Sequence, residues 1–210
     1  MTAANAEGSK RTSASVPVPA GPPAGFPPVV QDAAFAAVPD GAWSTGTVSG
    51  GALRLAQAQS GVVTGVAAHP RALRDVVLDA RLRLTEGDDD DVVGWYLRQP
   101  SPEVFLACGY GPSGRVGIFE IDGAARRMVV AGDLLPGHPF NPGVGQANRV
   151  TVVACGPSLT LLLNGAVVAG VTVDQRFAEG HAGPVLIKGW AGARSAVAVD
   201  WLQIRALLAG

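Results

Sequence analysis

The chain has 210 residues, of which 48% are hydrophobic and 16% are charged, and its formal net charge is -1. This composition supplies enough apolar material for one domain with a sizeable core, and it excludes a chain that is disordered throughout. The near-zero charge gives no basis for binding nucleic acid or an anionic membrane surface. A membrane span is not expected, because no run of about 18 apolar residues occurs.

The N-terminal segment is rich in proline, and its sequence after Lys10-Arg11 is TSASVPVPAGPPAGFPP. Paired prolines favour an extended polyproline II conformation over packed structure. They also interrupt the apolar stretch that a signal peptide needs. We therefore expect a disordered arm over residues 1–31, one folded domain over residues 32–210, and a cytoplasmic protein.

The rest of the chain alternates between apolar and polar residues in short segments that end in Gly, Pro, Asp or Asn. Turn signals every 8–12 residues are typical of an antiparallel β-sandwich or barrel. Long helical periods with caps are missing, so we predict an all-β fold. The predicted strands cover residues 43–48, 52–56, 61–67, 76–84, 92–98, 104–110, 115–121, 127–131, 149–155, 159–163, 166–173, 183–188 and 196–206.

Alternation also predicts which side chains face the core. In VVLDARLRL the apolar set begins at Val76, so Asp79, Arg81 and Arg83 should face water. In VVGWYLR the residues Val93, Trp95 and Leu97 should face the core. Tyr96 and Arg98 then share the opposite face.

The stretch SLTLLLNGAVVAG contains the strongest turn signal of the chain. Asn164-Gly165 between two apolar runs predicts a two-residue type I′ hairpin turn, which needs positive φ at both central positions. Leu161, Leu162 and Leu163 stand in succession, which predicts a strand that is covered on both faces.

Two cysteines, Cys108 and Cys155, and three scattered histidines do not form the tight ligand pairs of a zinc site. The two thiols fit small apolar side chains in strands, and a disulfide between them stays open at this point.

Several segments in order resemble concanavalin A-like jelly rolls, and most closely the laminin G-like and DUF1080 (3-keto-disaccharide hydrolase) group. They are ALRDVVLDARLRL, DDDDVVGWYLR, NRVTVVACGPSLTLLLNGAVVAGVTV, GHAGPVLIKGW and VAVDWLQI, and the similarity spans residues 33–206. The resemblance implies a two-sheet antiparallel sandwich with a concave sheet face as the binding surface.

The candidate ligand-binding residues are Tyr96, Arg98, Glu120 and Trp190. Sugar sites combine exposed aromatic rings with charged or amide groups that bind hydroxyls, and these residue types supply both. Glu120 and Asp122 also lie on one face of a strand, as a pair of glycosidase carboxylates would. A third carboxylate is missing further along that strand, so we name no catalytic residue.

A run of four aspartates at residues 88–91 is a candidate for calcium, with Asp88 and Asp90 as ligands. The run lacks the D-x-D-x-D-G spacing that spreads ligands around an ion, so the sequence favours a solvated loop over a calcium site. We expect no cofactor other than this possible calcium ion.

The sequence therefore favours a binding module without catalytic activity that recognises a glycan or a protein surface. A structural or assembly subunit tethered by the Pro-rich arm is the alternative, and a glycoside-acting enzyme of the DUF1080 kind is a third hypothesis.

Overall fold

The computed structural model describes residues 29–34, 41–43, 46–69 and 71–207. Regular structure in these ranges consists of strands and one 3₁₀ turn, Gln175–Phe177. In chain order the strands are β1 (Val29–Ala34), β2 (Gly41–Trp43), β3 (Gly46–Ser49), β4 (Ala52–Gln57), β5 (Val63–Gly65), β6 (Val76–Glu86), β7 (Val92–Ser101), β8 (Val104–Tyr110), β9 (Arg115–Asp122), β10 (Ala125–Asp133), β11 (Asn148–Cys155), β12 (Ser158–Leu163), β13 (Ala166–Thr172), β14 (His181–Ile187) and β15 (Ser195–Ala206).

The strands form two antiparallel sheets. The larger sheet has nine strands in the order β13-β12-β11-β6-β15-β4-β3-β2, with β1 paired to β15 beside this path. The smaller sheet has six strands in the order β10-β9-β8-β7-β14-β5. The predicted all-β sandwich is confirmed.

The main core lies between the two sheets. The predicted inward residues of β6, from Val76 to Leu84, and those of β7, including Trp95, all belong to it. Two hydrogen bonds connect the two sheets. Trp95 Nε1 donates to the carbonyl of Val150 at 3.1 Å, and the Tyr110 hydroxyl donates to the carbonyl of Leu82 at 3.0 Å. These bonds satisfy the polar atoms of two otherwise apolar side chains inside the core.

The first part of the domain differs from its prediction in two ways. Residues 43–48 do not form one strand, because β2 and β3 are two strands of a hairpin in which Trp43 pairs with Gly46. The strand β1 was not predicted, and its first residues, 29–31, fall inside the expected arm. Residues 1–28 of that arm lie outside the described residues.

The hairpin of β12 and β13 confirms the Asn-Gly prediction. Asn164 has φ 48° and Gly165 has φ 86°. The Asn164 side chain also accepts from the backbone N–H of Arg149 at 2.7 Å. Leu161 and Leu163 are buried in the core, whereas Leu162 is only half-buried on the other face, so the expectation that both faces are covered is wrong.

Two predictions about side-chain exposure are wrong, one for Asp79 and one for Cys155. Asp79 is buried, because Arg149 lies over its carboxylate on the outside of the larger sheet. Cys108 is buried as expected, but Cys155 is exposed at the end of β11, and both thiols are free. Within the described part of the chain, no helix is long and apolar enough to cross a membrane.

Candidate ligand-binding face

The six-stranded sheet carries a second apolar cluster on the surface that faces away from the main core. We call this surface the outer face. Because side chains alternate along a strand, Tyr96 points to it while its neighbours Trp95 and Leu97 point into the core. The buried members of the cluster are Tyr96, Phe105, Ala107, Ile121, Val185 and Ile187.

A row of glycines crosses the outer face through three neighbouring strands. Gly94 pairs with Gly109, and Gly109 pairs with Gly117. A Cβ on Gly94 would lie 2.0 Å from the carbonyl oxygen of Cys108, and one on Gly109 would lie 2.1 Å from that of Val93. Only glycine permits this close approach of β7 and β8, and the missing side chains leave a smooth strip across the sheet.

The ring of Tyr96 lies across glycines of two further strands. A Cβ on Gly65 would be 2.8 Å from this ring, and one on Gly183 would be 3.0 Å from it. Phe105 meets the ring edge-on at a centroid distance of 6.1 Å, a favourable aromatic geometry. Burial raises the pKa of Tyr96 to about 12, so its hydroxyl stays protonated at neutral pH.

Two hollows occupy the outer face. The first has a volume of roughly 510 Å³ and is lined by Gly61, Val62, Val63, Gly65, Tyr96, Gln99, Pro102, Glu103, Phe105, Ile121, Gly123, Ala124, Arg126 and Val185. The second has a volume of roughly 470 Å³ and is lined by residues 89–92, Gly111, residues 115–117, Phe119, Arg126, Met128, residues 131–133 and residues 187–190. Arg126 lines both hollows, and both volumes fall in the range typical of small-molecule sites.

Trp190 stands at the rim between the two hollows. It belongs to the second hollow, its side chain contacts Gly61 of the first, and it is 80% exposed. A Cβ on Gly61 would lie 2.9 Å from the indole, so the absence of a side chain there lets the ring rest on the backbone.

The acidic run holds the loop that carries Trp190. Asp91 is fully buried, and its carboxylate accepts from the hydroxyl of Ser195, from the backbone N–H of Gly189 at 2.8 Å and from Lys188 Nζ at 3.4 Å. Asp90 accepts from the backbone N–H of Trp190 and of Ala191. The run therefore forms a structural link between the β6–β7 loop and the β14–β15 loop.

No family model matches the chain, and no curated protein sequence matches it either. Among solved structures, the carbohydrate-binding module CBM66 from Bacillus subtilis superposes with a TM-score of 0.55 at 12% identity, covering 70% of this chain and 85% of its own. A Bacillus subtilis protein with a galectin-like fold gives 0.61 at 11% identity, covering 86% and 97%. The catalytic domain of the laminarinase from Thermotoga petrophila RKU-1 gives 0.51 at 10% identity, covering 78% and 80%.

The chain folds as a concanavalin A-like jelly roll. The structural neighbours share this architecture and include both binding modules and a glucanase. At these identities they show the fold alone, and the closer resemblance to laminin G-like and DUF1080 proteins stays a prediction.

Of the four predicted ligand-binding residues, this jelly roll places Tyr96 and Trp190 at the outer face, and it places Arg98 elsewhere. The alternation that assigned Tyr96 and Arg98 to one face breaks because Arg98 has φ 52°, a bulge conformation. Its guanidinium donates to the carbonyl of Gly156 at 2.6 Å and to that of Arg74 at 3.3 Å, at the end of the larger sheet. The side chain is 1% exposed, so the predicted shared face is wrong.

Glu120 also lies away from the outer face. It follows Val116 and Ile118 on the core side of β9 and is buried beneath two arginines. Arg127 donates two hydrogen bonds to it, and Arg176 donates one at 2.9 Å. Burial pushes the pKa of Glu120 upward, but these hydrogen bonds outweigh burial and lower the pKa, so the carboxylate is ionised and fully engaged.

The calcium hypothesis for Asp88 and Asp90 stays a prediction. Asp90 already accepts two backbone N–H groups, and an oxygen of Asp88 lies 4.0 Å from Lys188 Nζ. Within the described ranges, no group of three or more Asp, Glu, His or Cys side chains converges on a common point.

Sequence reasoning missed the other residues of the outer face, above all Phe105, Phe119 and Arg126. A usable signal exists, since the two strands that flank β8 carry the pattern glycine-x-aromatic, as Gly94 with Tyr96 on β7 and Gly117 with Phe119 on β9. The Phe119 ring folds back over Gly117, whose Cβ would lie 2.6 Å from it, whereas the Tyr96 ring lies over Gly65 of β5 and Gly183 of β14.

Proposed function

We propose that the chain is a glycan-binding module and that the outer face of its six-stranded sheet holds the glycan. The fold supports this, since it is shared with a carbohydrate-binding module and with a galectin-like protein. The apolar floor and the polar rim of the two hollows supply the chemistry that a sugar needs.

Trp190 carries the proposal. A large indole that is 80% exposed costs solvation free energy unless something covers it in the working state. Trp190 lines the second hollow and its ring touches Gly61 of the first, so the exposed indole lies at the two hollows that Tyr96, Phe105 and Phe119 line. The C–H face of a pyranose ring can stack on such an indole while its hydroxyls stay in water.

The rim supplies the polar partners. Gln99, Glu103 and Arg126 line the first hollow and can donate to and accept from sugar hydroxyls. In the first hollow one cation and one carboxylate cancel in charge. The second hollow adds more carboxylates than cations, so neither hollow carries the positive excess that would favour a strongly acidic glycan.

Binding is favoured over hydrolysis at the carboxylate pair considered from sequence. Glu120 lies on the core side of β9 and its oxygens are engaged by Arg127 and Arg176. Asp122 is paired with the same Arg176 at 2.9 Å. A glycosidase nucleophile has to reach the sugar ring, but Glu120 points to the core side of β9 with Val116 and Ile118, and two arginines occupy its carboxylate there.

A glycan array that includes neutral β-glucans, run with calcium and again with EDTA, tests the proposal. Titration calorimetry on the array hits then compares the wild type with Trp190→Ala. We expect affinity to fall by roughly 30-fold, because truncating an aromatic anchor costs about 2 kcal/mol.

Leu135→Ala is the matched control, since Leu135 is also 80% exposed but lines neither hollow. We expect it to bind as the wild type does. An array without hits in either buffer, or equal affinities for the wild type and Trp190→Ala, would contradict the proposal. Binding that disappears in EDTA would support the calcium hypothesis at the same time.

A further inference from the structure

Trp190 lies on the loop between β14 and β15, where the backbone does not pair with a strand. The loop runs over residues 188–194, and these residues have no strand or helix assignment. A tryptophan on an unsupported loop would have to be ordered each time a glycan binds, which lowers affinity. The question is what holds the indole in place beforehand.

Asp90 holds the centre of this loop. One of its carboxylate oxygens, Oδ2, accepts from the backbone N–H of Trp190 at 2.5 Å and from that of Ala191 at 3.0 Å. The contact fixes the backbone at the residue that carries the indole. Burial raises the pKa of Asp90, but the backbone hydrogen bonds from Ala191 and Trp190 outweigh burial. The net pKa lies below the ordinary aspartate value, so the carboxylate is ionised at neutral pH.

Asp91 holds the two ends of the same loop. Its carboxylate binds Gly189 at one end and Ser195 at the other, and it faces the buried Lys188. Lys188 Nζ in turn donates to the carbonyl of Ala191. The ends are therefore anchored in the protein interior and Lys188 also holds the carbonyl of Ala191, whereas the backbone N–H of Trp190 is held by Asp90.

Gly61 supports the indole from below. Its backbone N–H donates to the carbonyls of Lys188 at 3.0 Å and of Gly189 at 3.2 Å, so the surface under the ring is tied to the loop that carries it. The ring is thus held against Gly61 while most of its surface remains exposed.

We propose that Asp90 is a positioning residue that orients Trp190 for glycan binding without touching the glycan. This rests on the proposed function. Although Asp90 lines the second hollow, Oδ2 already has two donors, and Oδ1 is shielded from solvent with no partner among the described residues. Neither oxygen is presented to a ligand, so the carboxylate acts through the loop.

The first experiment needs no ligand. Full-length protein labelled with 5-fluorotryptophan gives a separate fluorine NMR signal for each of its four tryptophans, and Trp190→Phe assigns the one of interest. We expect Asp90→Ala to move this signal towards the position of a solvated indole and to broaden it. Asp90→Asn should restore most of the shift, because an amide oxygen can still accept both N–H groups.

Asp89→Asn is the matched control, since Asp89 is the exposed neighbour and loses the same charge. It should leave the Trp190 signal unchanged. An unchanged signal in Asp90→Ala would overturn the proposal. If Asp90→Ala does not fold, the comparison of Asp90→Asn with Asp89→Asn decides. The neutral amide of Asp90→Asn accepts the two N–H groups more weakly than the carboxylate, so a small residual shift of the Trp190 signal should remain that Asp89→Asn lacks, and identical signals would overturn the proposal.

The second experiment measures binding to laminarin, a soluble β-1,3-glucan. We expect Asp90→Ala to bind about tenfold more weakly, the cost of ordering one or two side chains on binding. In a Trp190→Ala background the same substitution should change nothing. If Asp90→Ala also lowers the affinity tenfold in the Trp190→Ala background, Asp90 contacts the glycan directly, which would also overturn the proposal. Absence of any glycan binding by the wild type would contradict the proposed function, while the fluorine signal still decides whether Asp90 orients Trp190.

Discussion

Replacement of Arg98 tests whether its guanidinium stabilises the fold or binds the ligand. The structure predicts that Arg98→Ala destabilises the fold and leaves glycan binding by the folded fraction unchanged. The reason is that the guanidinium bridges the two sheets, donating to the carbonyls of Gly156 and Arg74 at a site that is 1% exposed.

The magnitude follows from these contacts. The short bond to Gly156 and the longer one to Arg74 are each charge-assisted, and together they contribute roughly 3–4 kcal/mol. The two buried methylenes that alanine lacks, Cγ and Cδ, add about 1.6 kcal/mol. The variant recovers about 2 kcal/mol of side-chain entropy and part of the cost of burying a cation, so the net loss is about 2–3 kcal/mol.

Urea unfolding followed by tryptophan fluorescence measures this loss, and thermal unfolding should show a decrease in Tm of about 5–10 °C for a domain of this size. Arg54→Ala is the control, because Arg54 is an exposed arginine of the larger sheet and its removal should change stability by less than about 0.5 kcal/mol. Unchanged stability of Arg98→Ala together with lost glycan binding would refute the reasoning and restore Arg98 as a ligand-binding residue.

Three further substitutions, Asn164→Ala, Glu120→Gln and Gly94→Ala, probe the fold, and Asn164→Gly and Gly132→Ala serve as comparisons. Asn164→Ala should lower the free energy of unfolding by more than Asn164→Gly does, because alanine disfavours φ 48° by about 1 kcal/mol, and urea titration of both variants measures the difference. Glu120→Gln should cost about 1–2 kcal/mol at pH 7. Because the native pKa of Glu120 is lowered, its contribution is present above the ordinary glutamate pKa and disappears as pH falls through the native value, so unfolding curves of wild type and variant should converge in acid. Gly94→Ala should reduce soluble yield and Tm, since its Cβ would lie 2.0 Å from the carbonyl oxygen of Cys108, whereas Gly132→Ala, with open space around it, should not.

The acidic run and the bulge show where prediction from sequence stopped. Four adjacent aspartates indicated a metal loop or a solvated loop, and neither reading includes a partner as distant as Ser195, which lies 104 positions from Asp91. Alternation placed Arg98 with Tyr96, and one residue with positive φ reversed that assignment. Glu120 was predicted to share one face of its strand with Asp122, but the sequence did not reveal that this face is the core side that carries Val116 and Ile118.

The sequence by itself determined the all-β class, most strand positions, the core face of β6 and β7, and the turn at Asn164-Gly165. These follow from period-2 alternation and from the backbone preferences of single residues, which are local properties. Only the tertiary structure decided which face of the six-stranded sheet stays open, that Trp190 stands at its rim, and that Asp90 holds it there. Those features depend on contacts between segments far apart in the chain. The stability of such contacts depends on packing and burial, which a local sequence pattern does not predict.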